Sequence, residues 1–454
     1  MKNRRSYTAH SFFAIIFVLT FLSQITLAGS LEPSAPPAGT MKPLDQVEPR
    51  IAITSIPYTI STSGSYYLTK SLSSSSGGIT VSTNNVTIDL CGFEIYGPGS
   101  SATYNGINTS GKTNVVICNG TIRDCYTAVN ETNTASKGLL IKNIRVFNSK
   151  FVGIRVTNSA TINGCTVATS GNTGILTGTN CVIEDNIVYG NTAAGVSGIY
   201  DGNDCIIRHN NVYGNTYGIR CVSRCLISEN LVTSNIGGYG LLAGEYCTIR
   251  DNTVTQNAWG IQVGKYCTLT NNNASNNSGT GIQLGDYGFA TGNTCSKNVG
   301  GDGILANNYC KITNCVANSN TSNGIHTDSD SVISDCIANS NSATGIYTNN
   351  NCKISGCTTN NNTNNGMGIS TGDNSAVINC VSNSNSSGNG LYTGDHSTIT
   401  GNTIFGNARN GIYCKGGYIA RNTVSLNNTL SNSLYAGIQV EKHSQVKENT
   451  LEGK

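Results

Sequence analysis

Three residues carry the types and spacing that base chemistry on a sugar acid would need: Asp302, His326 and Tyr347. A His or Tyr base beside a positioning carboxylate can take a proton from carbon, provided a cationic group steadies the product anion. A lone exposed histidine is more often idle, so the trio is a candidate and no more. A second group has the chemistry of sugar contact. Tyr200, Tyr217, Arg220, Tyr239, Trp259, Gln262, Gln283 and Tyr392 combine flat rings with amides and a guanidinium. Rings stack on the C–H faces of sugars, and amides bond hydroxyls. The plain alternative is that Tyr is a good residue for an exposed strand.

What places these residues in line is an internal repeat. A Gly followed by Ile or Leu recurs at Gly174, Gly198, Gly218, Gly240, Gly260, Gly281, Gly303, Gly324, Gly345, Gly368, Gly390, Gly411 and Gly437. A fixed period of this kind signals a stacked architecture. Apolar columns accompany it: Ile183, Ile207, Ile227, Ile249 and Leu269 in one, Val188, Val212, Val232 and Val254 in another. Each sits in a short alternating run punctuated by Asn and Gly, the mark of short half-buried strands and turns. Three such strands in about 22 residues make one coil of a parallel β-helix. Leucine-rich repeats need denser Leu, and a propeller blade needs about twice the period. Thirteen coils at the parallel-strand spacing of about 4.8 Å predict a rod of roughly 60 Å for the regular part.

By alternation, the residue after each Gly-Ile points outward. That column holds Leu176, Tyr200, Arg220, Leu242, Gln262, Gln283, Leu305, His326, Tyr347, Ser370, Tyr392, Tyr413 and Gln439. The residue before the Gly adds Tyr217, Tyr239, Trp259, Asp302 and Asn323. This strand is the one expected working face.

Two asparagine columns should form side-chain ladders. One runs Asn186, Asn210, Asn230, Asn252, Asn272 and Asn293, changes to Cys315, Cys336, Cys357 and Cys380, and returns at Asn402, Asn422 and Asn449. Stacked amides satisfy one another. The second, from Asn191 to Asn427, is expected at a left-handed turn. A third column holds Cys181, Cys205, Cys225, Cys247, Cys267, Cys310 and Cys352. Metal ligands converge at short spacings, whereas these lie one coil apart in line, so no metal site is expected among them. A Cβ spacing near 4.8 Å also exceeds the usual disulfide value of about 3.8 Å, so reduced, buried thiols are predicted. Gly-Asp turns at Asp286, Asp373 and Asp395 raise Ca²⁺, but one carboxylate per turn is few for a site of six to eight oxygens. No other cofactor is expected. Asp201 stands out, because its inward column otherwise holds Thr, Ala, Val, Leu and Cys. A buried carboxylate there needs a partner.

The ends differ from the body. Lys2, Arg4 and Arg5 precede an apolar stretch from Phe12 to Leu22 and the small residues Thr26-Leu27-Ala28. This fits an export signal over 1–28; an uncleaved anchor is the alternative. No later segment is a membrane-span candidate. Without the signal, the 27 basic and 24 acidic residues become 24 of each. A neutral chain that is 11% charged does not suggest binding to nucleic acid or anionic membrane. Residues 29–55 read as a Pro-rich extended linker, 56–172 as a cap with irregular first coils, and 173–454 as regular repeats. The repeats end without an obvious cap, and Lys442, Lys447 and Glu448 are expected to discourage edge pairing.

The segment Asn85-Val-Thr-Ile-Asp-Leu-Cys-Gly-Phe-Glu-Ile95, with the Gly-Ile coils and Asn columns, resembles bacterial right-handed parallel β-helix proteins of the pectin-lyase-like superfamily. The resemblance covers roughly residues 56–451. It implies an all-β fold, a single-stranded right-handed parallel β-helix (solenoid) of about 22 residues per coil, with a carbohydrate-facing groove. The superfamily includes pectate lyases, polygalacturonases, alginate lyases and epimerases, tailspikes, adhesins and part of a periplasmic copper-site maturation protein. Fold alone does not carry activity. The Asn-Thr-Asp, Asp-Asp and Gly-His-Gly set of polygalacturonases is missing, as is the Asp-Pro-His segment of epimerases. The pectate-lyase pattern of calcium-binding Asp and nearby Arg is not evident either. The leading expectation is therefore an exported, non-catalytic protein, secreted, periplasmic or at the cell surface, whose partner is a polysaccharide or surface glycan. A polysaccharide lyase or uronate C5-epimerase is the first alternative, and a partner-binding rod is the second. Oligomeric state is open.

Overall fold

The computed structural model describes residues 48–364 and 366–452. The expected export signal and most of the expected linker lie outside them. Short strands stack in parallel in about 17 coils of about 22 residues. The chain is a right-handed parallel β-solenoid.

Each coil contributes up to three strands. Ser197–Asn203, Ile206–Arg208 and Asn211–Tyr213 form one coil, and Tyr217–Ser223, Leu226–Ser228 and Leu231–Thr233 form the next. Their registers match column for column: Ile199 over Ile219, Ile207 over Ile227, Val212 over Val232. These side chains are fully buried and fill the interior. In several later coils the third strand shrinks to single bridges, as from Asn273 to Thr294 and on to Val316.

The stack starts earlier than the regular sequence pattern. Ile51–Ile53 pairs with Tyr66–Leu68, inside the segment read as a linker through residue 55. The inner column then runs unbroken through Ile88, Ile117, Ile141, Ile162 and Ile183. Longer loops in the early coils hide this continuity from a period search.

Three corners turn each coil, and at many of them a non-glycine residue in the left-handed region makes the turn. Asp204, Arg224, Tyr246, Tyr266, Tyr287 and Tyr309 have φ of 59°, 54°, 60°, 59°, 59° and 60° at one corner. The second asparagine column was expected to supply such residues. Instead the preceding residue takes the left-handed conformation, as at Ser234 and Gln256. The asparagine that follows points inward: Asn235 and Asn257 are buried. The reason is economy of hydrogen bonding. Asn235 Oδ1 accepts from the backbone N–H of Asn215 at 3.0 Å, and Asn235 Nδ2 donates to Asn257 Oδ1 at 2.9 Å. The first ladder does the same: Asn230 Nδ2 donates to Asn252 Oδ1 at 2.9 Å and to the Ile207 carbonyl at 3.0 Å. Buried amides are thus paired along the stack, which spares the desolvation cost of an orphaned polar group.

The conserved shape of the repeat also depends on close approach. A Cβ at Gly260 would lie 2.1 Å from the Gly281 carbonyl oxygen of the next coil. Only a hydrogen fits there.

Candidate functional site

The outward column after each Gly-Ile is a true ladder. Tyr200, Arg220, Leu242, Gln262, Gln283, Leu305, His326, Tyr347, Ser370, Tyr392 and Tyr413 pair in sequence along one sheet. All the candidate contact residues lie on this face. Arg220 holds its guanidinium 5.0 Å from the Tyr200 ring and 5.1 Å from the Tyr217 ring. A cation at that distance from an aromatic face is attracted to it. Tyr239 and Trp259 are register partners with ring centroids 5.8 Å apart. Trp259 is 41% exposed, so its indole presents a face to solvent. Burial, with the nearby Tyr217 adding to it, raises the Tyr239 phenol. Gln262 and Gln283 follow in the ladder. Farther on, Tyr392 stacks on Tyr413 at 5.2 Å, and a groove of about 340 Å³ opens between Tyr347, Ser370, Asp373, Tyr392 and Lys415.

Asp302, His326 and Tyr347 also come together. Asp302 is buried, and its Oδ2 lies 3.2 Å from His326 Nδ1. The His326 and Tyr347 rings meet edge to face at 4.9 Å. Burial alone would raise the Asp302 carboxyl. Hydrogen bonds from His326, Ser322 and the Asn323 backbone outweigh it and hold the carboxyl below its usual range. The Asn323 amide lies 2.8 Å from Oδ1. An ionised carboxylate therefore orients the ring and leaves Nε2 directed away from it. The lysines of these coils, Lys311 and Lys353, belong to strands of another sheet.

The turn carboxylates serve the turns. Asp286 pairs with Lys265 at 3.0 Å, and that hydrogen bond lowers its carboxyl. Asp373 Oδ1 accepts from the Asp395 backbone N–H at 2.8 Å. Asp201 is buried, and Thr177 Oγ1 and the Gly202 N–H donate to its Oδ1. Its Oδ2 has no hydrogen-bond partner. Burial pushes this carboxyl up to about 7 against the lowering effect of Thr177 and Cys205.

One surface feature is invisible in the Gly-Ile column. Tyr246, Tyr266, Tyr287 and Tyr309 stack at 5.0, 5.0 and 4.9 Å with their rings nearly parallel. Each occupies a left-handed corner, four residues beyond the outward strand position. The available signal was the recurrence of Tyr just before the cysteine column: Tyr246-Cys247, Tyr266-Cys267 and Tyr309-Cys310.

None of the 18 cysteines forms a disulfide, and all but Cys91 are buried. The column from Cys181 to Cys352 lies along one corner of the stack. Cys221, from the preceding strand of the coil, changes the local geometry. Cys221, Cys225 and Cys247 place their sulfurs within 4.8 Å of one another, with Cys221 and Cys247 3.8 Å apart.

The profile of the right-handed beta helix region matches residues 221–352 and 324–454, together just over half of the chain. The chain belongs to the right-handed β-helix family. Residues 78–245 of this β-helix protein also match the family described as periplasmic copper-binding protein (NosD). No curated protein matches. Among solved structures, the Azotobacter vinelandii mannuronan C-5 epimerase AlgE6 A-module is 10% identical, with 86% of this chain and 91% of that one covered and a TM-score of 0.31. The Dettilon tailspike protein is 15% identical over 57% and 58%, with a TM-score of 0.36. The Vag8–C1 inhibitor complex is 13% identical over 88% and 100%, with a TM-score of 0.40. Nothing about activity follows from these likenesses. Where copper is concerned, the chain's convergent donors among the described residues are Cys221, Cys225 and Cys247, and thiols are ligands that copper(I) accepts.

Proposed function

We propose that this protein is an exported β-helix that binds an extended polysaccharide along the face after each Gly-Ile, without altering it chemically. The observation that carries the proposal is the continuous outward ladder from Tyr200 to Tyr413. Its positions repeat at the coil spacing of about 4.8 Å, close to the length of one sugar unit, and most of them carry a ring or an amide. Tyr200, Tyr217 and Arg220 form one cluster, and Tyr239 and Trp259 a second. Gln262 and Gln283 offer amides next to them. The rings are held by their neighbours, so little side-chain freedom is lost on binding. The groove beside Tyr392 extends the same face. Export rests on the residue 1–28 pattern, with a periplasmic location favoured by the match over residues 78–245.

A glycan array probed with the full chain and with its Trp259→Ala variant tests this reading. Binding by the parent, weakened in the variant, supports it; binding by neither form defeats it.

A second reading has its own observation, the Asp302–His326–Tyr347 contact. A carboxylate-oriented imidazole beside a phenol suits proton abstraction from a uronate carbon. That chemistry also needs a cation near the sugar carboxylate: Lys311 and Lys353 stand on another sheet, and Lys415 lines the groove that Tyr347 borders. Unsaturated uronate or altered C5 configuration after incubation with alginate or pectin would establish this reading over the first.

A further inference from the structure

We propose that Cys221, Cys225 and Cys247 bind one thiophilic closed-shell cation, zinc(II) or copper(I), inside the solenoid. The inference is independent of glycan binding.

The geometry comes from the meeting of two inward columns. Cys225 and Cys247 belong to the corner ladder, in adjacent coils. Cys221 lies on the strand Tyr217–Ser223, and its register partners at this height are Asp201 below and Ala243 above. Ala243 leaves space that a larger residue would fill. The three sulfurs therefore form a triangle with every edge within 4.8 Å. The Cys221–Cys247 edge of 3.8 Å is far longer than a disulfide bond of about 2.05 Å. It matches the separation of two thiolates on one metal, since zinc–sulfur bonds of about 2.3 Å set at the tetrahedral angle span roughly 3.8 Å. Elsewhere the cysteine ladder lacks this third sulfur: beside Cys310 and Cys352 the inward strand carries Ala306 and Thr348.

Asp201, the register partner of Cys221, is buried in the neighbouring coil. The backbone N–H of Cys225 donates to Cys247 Sγ at 3.4 Å, a contact that recurs along the ladder from Cys181 to Cys205 and from Cys247 to Cys267. On binding, each S–H bond gives way to a metal–sulfur bond and its proton passes to solvent; no electron transfer is involved. Because all three sulfurs are buried, the metal enters as the chain folds.

The test is metal analysis of the full chain, purified as expressed and after refolding under reducing conditions with zinc(II) alone or copper(I) alone. About one equivalent should remain after dialysis, and the bound ion should raise the melting temperature. Competition between the two arms identifies the ion. Cys221→Ala should weaken binding by roughly 100-fold or more, whereas Cys352→Ala should leave it unchanged. If Cys221→Ala fails to fold, the parent refolded with cobalt(II) keeps the question open to measurement: sulfur-to-cobalt charge-transfer bands are expected. No bound metal in either arm, absence of those bands, or a Cys221–Cys247 disulfide in the native protein would overturn the proposal.

Discussion

Asp302 Oδ2 and His326 Nδ1 lie 3.2 Å apart across one coil boundary, the carboxylate buried and the imidazole half-exposed. The contact joins the residue before one Gly to the residue after the next Gly-Ile. Its strength has a definite pH sign. The Asp302 carboxyl is held below its usual value in the folded chain. A depressed folded value contributes stability that is present above the unfolded pKa of about 3.9 and is lost as pH falls through the folded one. Asp302→Asn should therefore flatten the loss of stability on the acid side, below about pH 4. His326→Ala should lower stability near neutral pH by leaving a buried carboxylate short of a partner. Denaturant melts across the acid range check both.

The glycan-binding face predicts a graded series. Trp259→Ala removes the most exposed ring of the Tyr239–Trp259 pair and should weaken polysaccharide binding about tenfold, the equivalent of about 1.4 kcal/mol. Gln283→Ala should cost less, and Ile249→Val, inside the core, should leave affinity unchanged while lowering stability by about 1 kcal/mol. Calorimetric titration separates the effects.

Ladder asparagines should be far less tolerant than surface ones. Asn252 donates to Asn272 and to the Ile227 carbonyl and accepts from the backbone and side chain of Asn230. Asn252→Leu strands those groups and should destabilise the fold by about 1–3 kcal/mol or more. Asn252→Cys, the exchange made naturally at Cys315, should be the milder variant. Urea midpoints give the order.

The tyrosine stack allows an unusual comparison. Tyr266 touches Tyr246 and Tyr287 and adopts φ of 59°. Loss of two stacked pairs should cost about 1–3 kcal/mol. Since glycine alone takes this backbone conformation without penalty, Tyr266→Gly should be no less stable than Tyr266→Ala. Both variants lose the ring, so the opposite order in thermal melts would contradict a left-handed backbone penalty at this corner.

Thiol chemistry should follow burial. Cys91 is the exposed cysteine, and the remaining thiols lie within the solenoid. A thiol reagent should modify Cys91 first in the native protein and reach the others only on unfolding. Reaction of the interior thiols at the same rate would contradict the packing.

Much of this was legible in the sequence because stacking turns a linear period into a spatial column. The outward ladder from Tyr200 to Tyr413 and the inward one from Ile183 to Ile419 could be written down by counting. The same logic read the early coils only as irregular, because their loops vary in length, so the continuity of Ile88 with Ile183 shows only in the sheet pairing. It also put the left-handed turn on the wrong residue, since composition cannot say which of two neighbours faces in.

What the sequence by itself determined, then, was the repeat and the identity of each column, because side-chain alternation and coil length are local properties. What only the tertiary structure decided was contact between columns. Asp302 reaches His326, Arg220 settles over two tyrosines, and Cys221 turns toward Cys225 and Cys247. These meetings depend on corner angles and side-chain rotamers, which three-dimensional packing fixes and a period of about 22 residues does not encode.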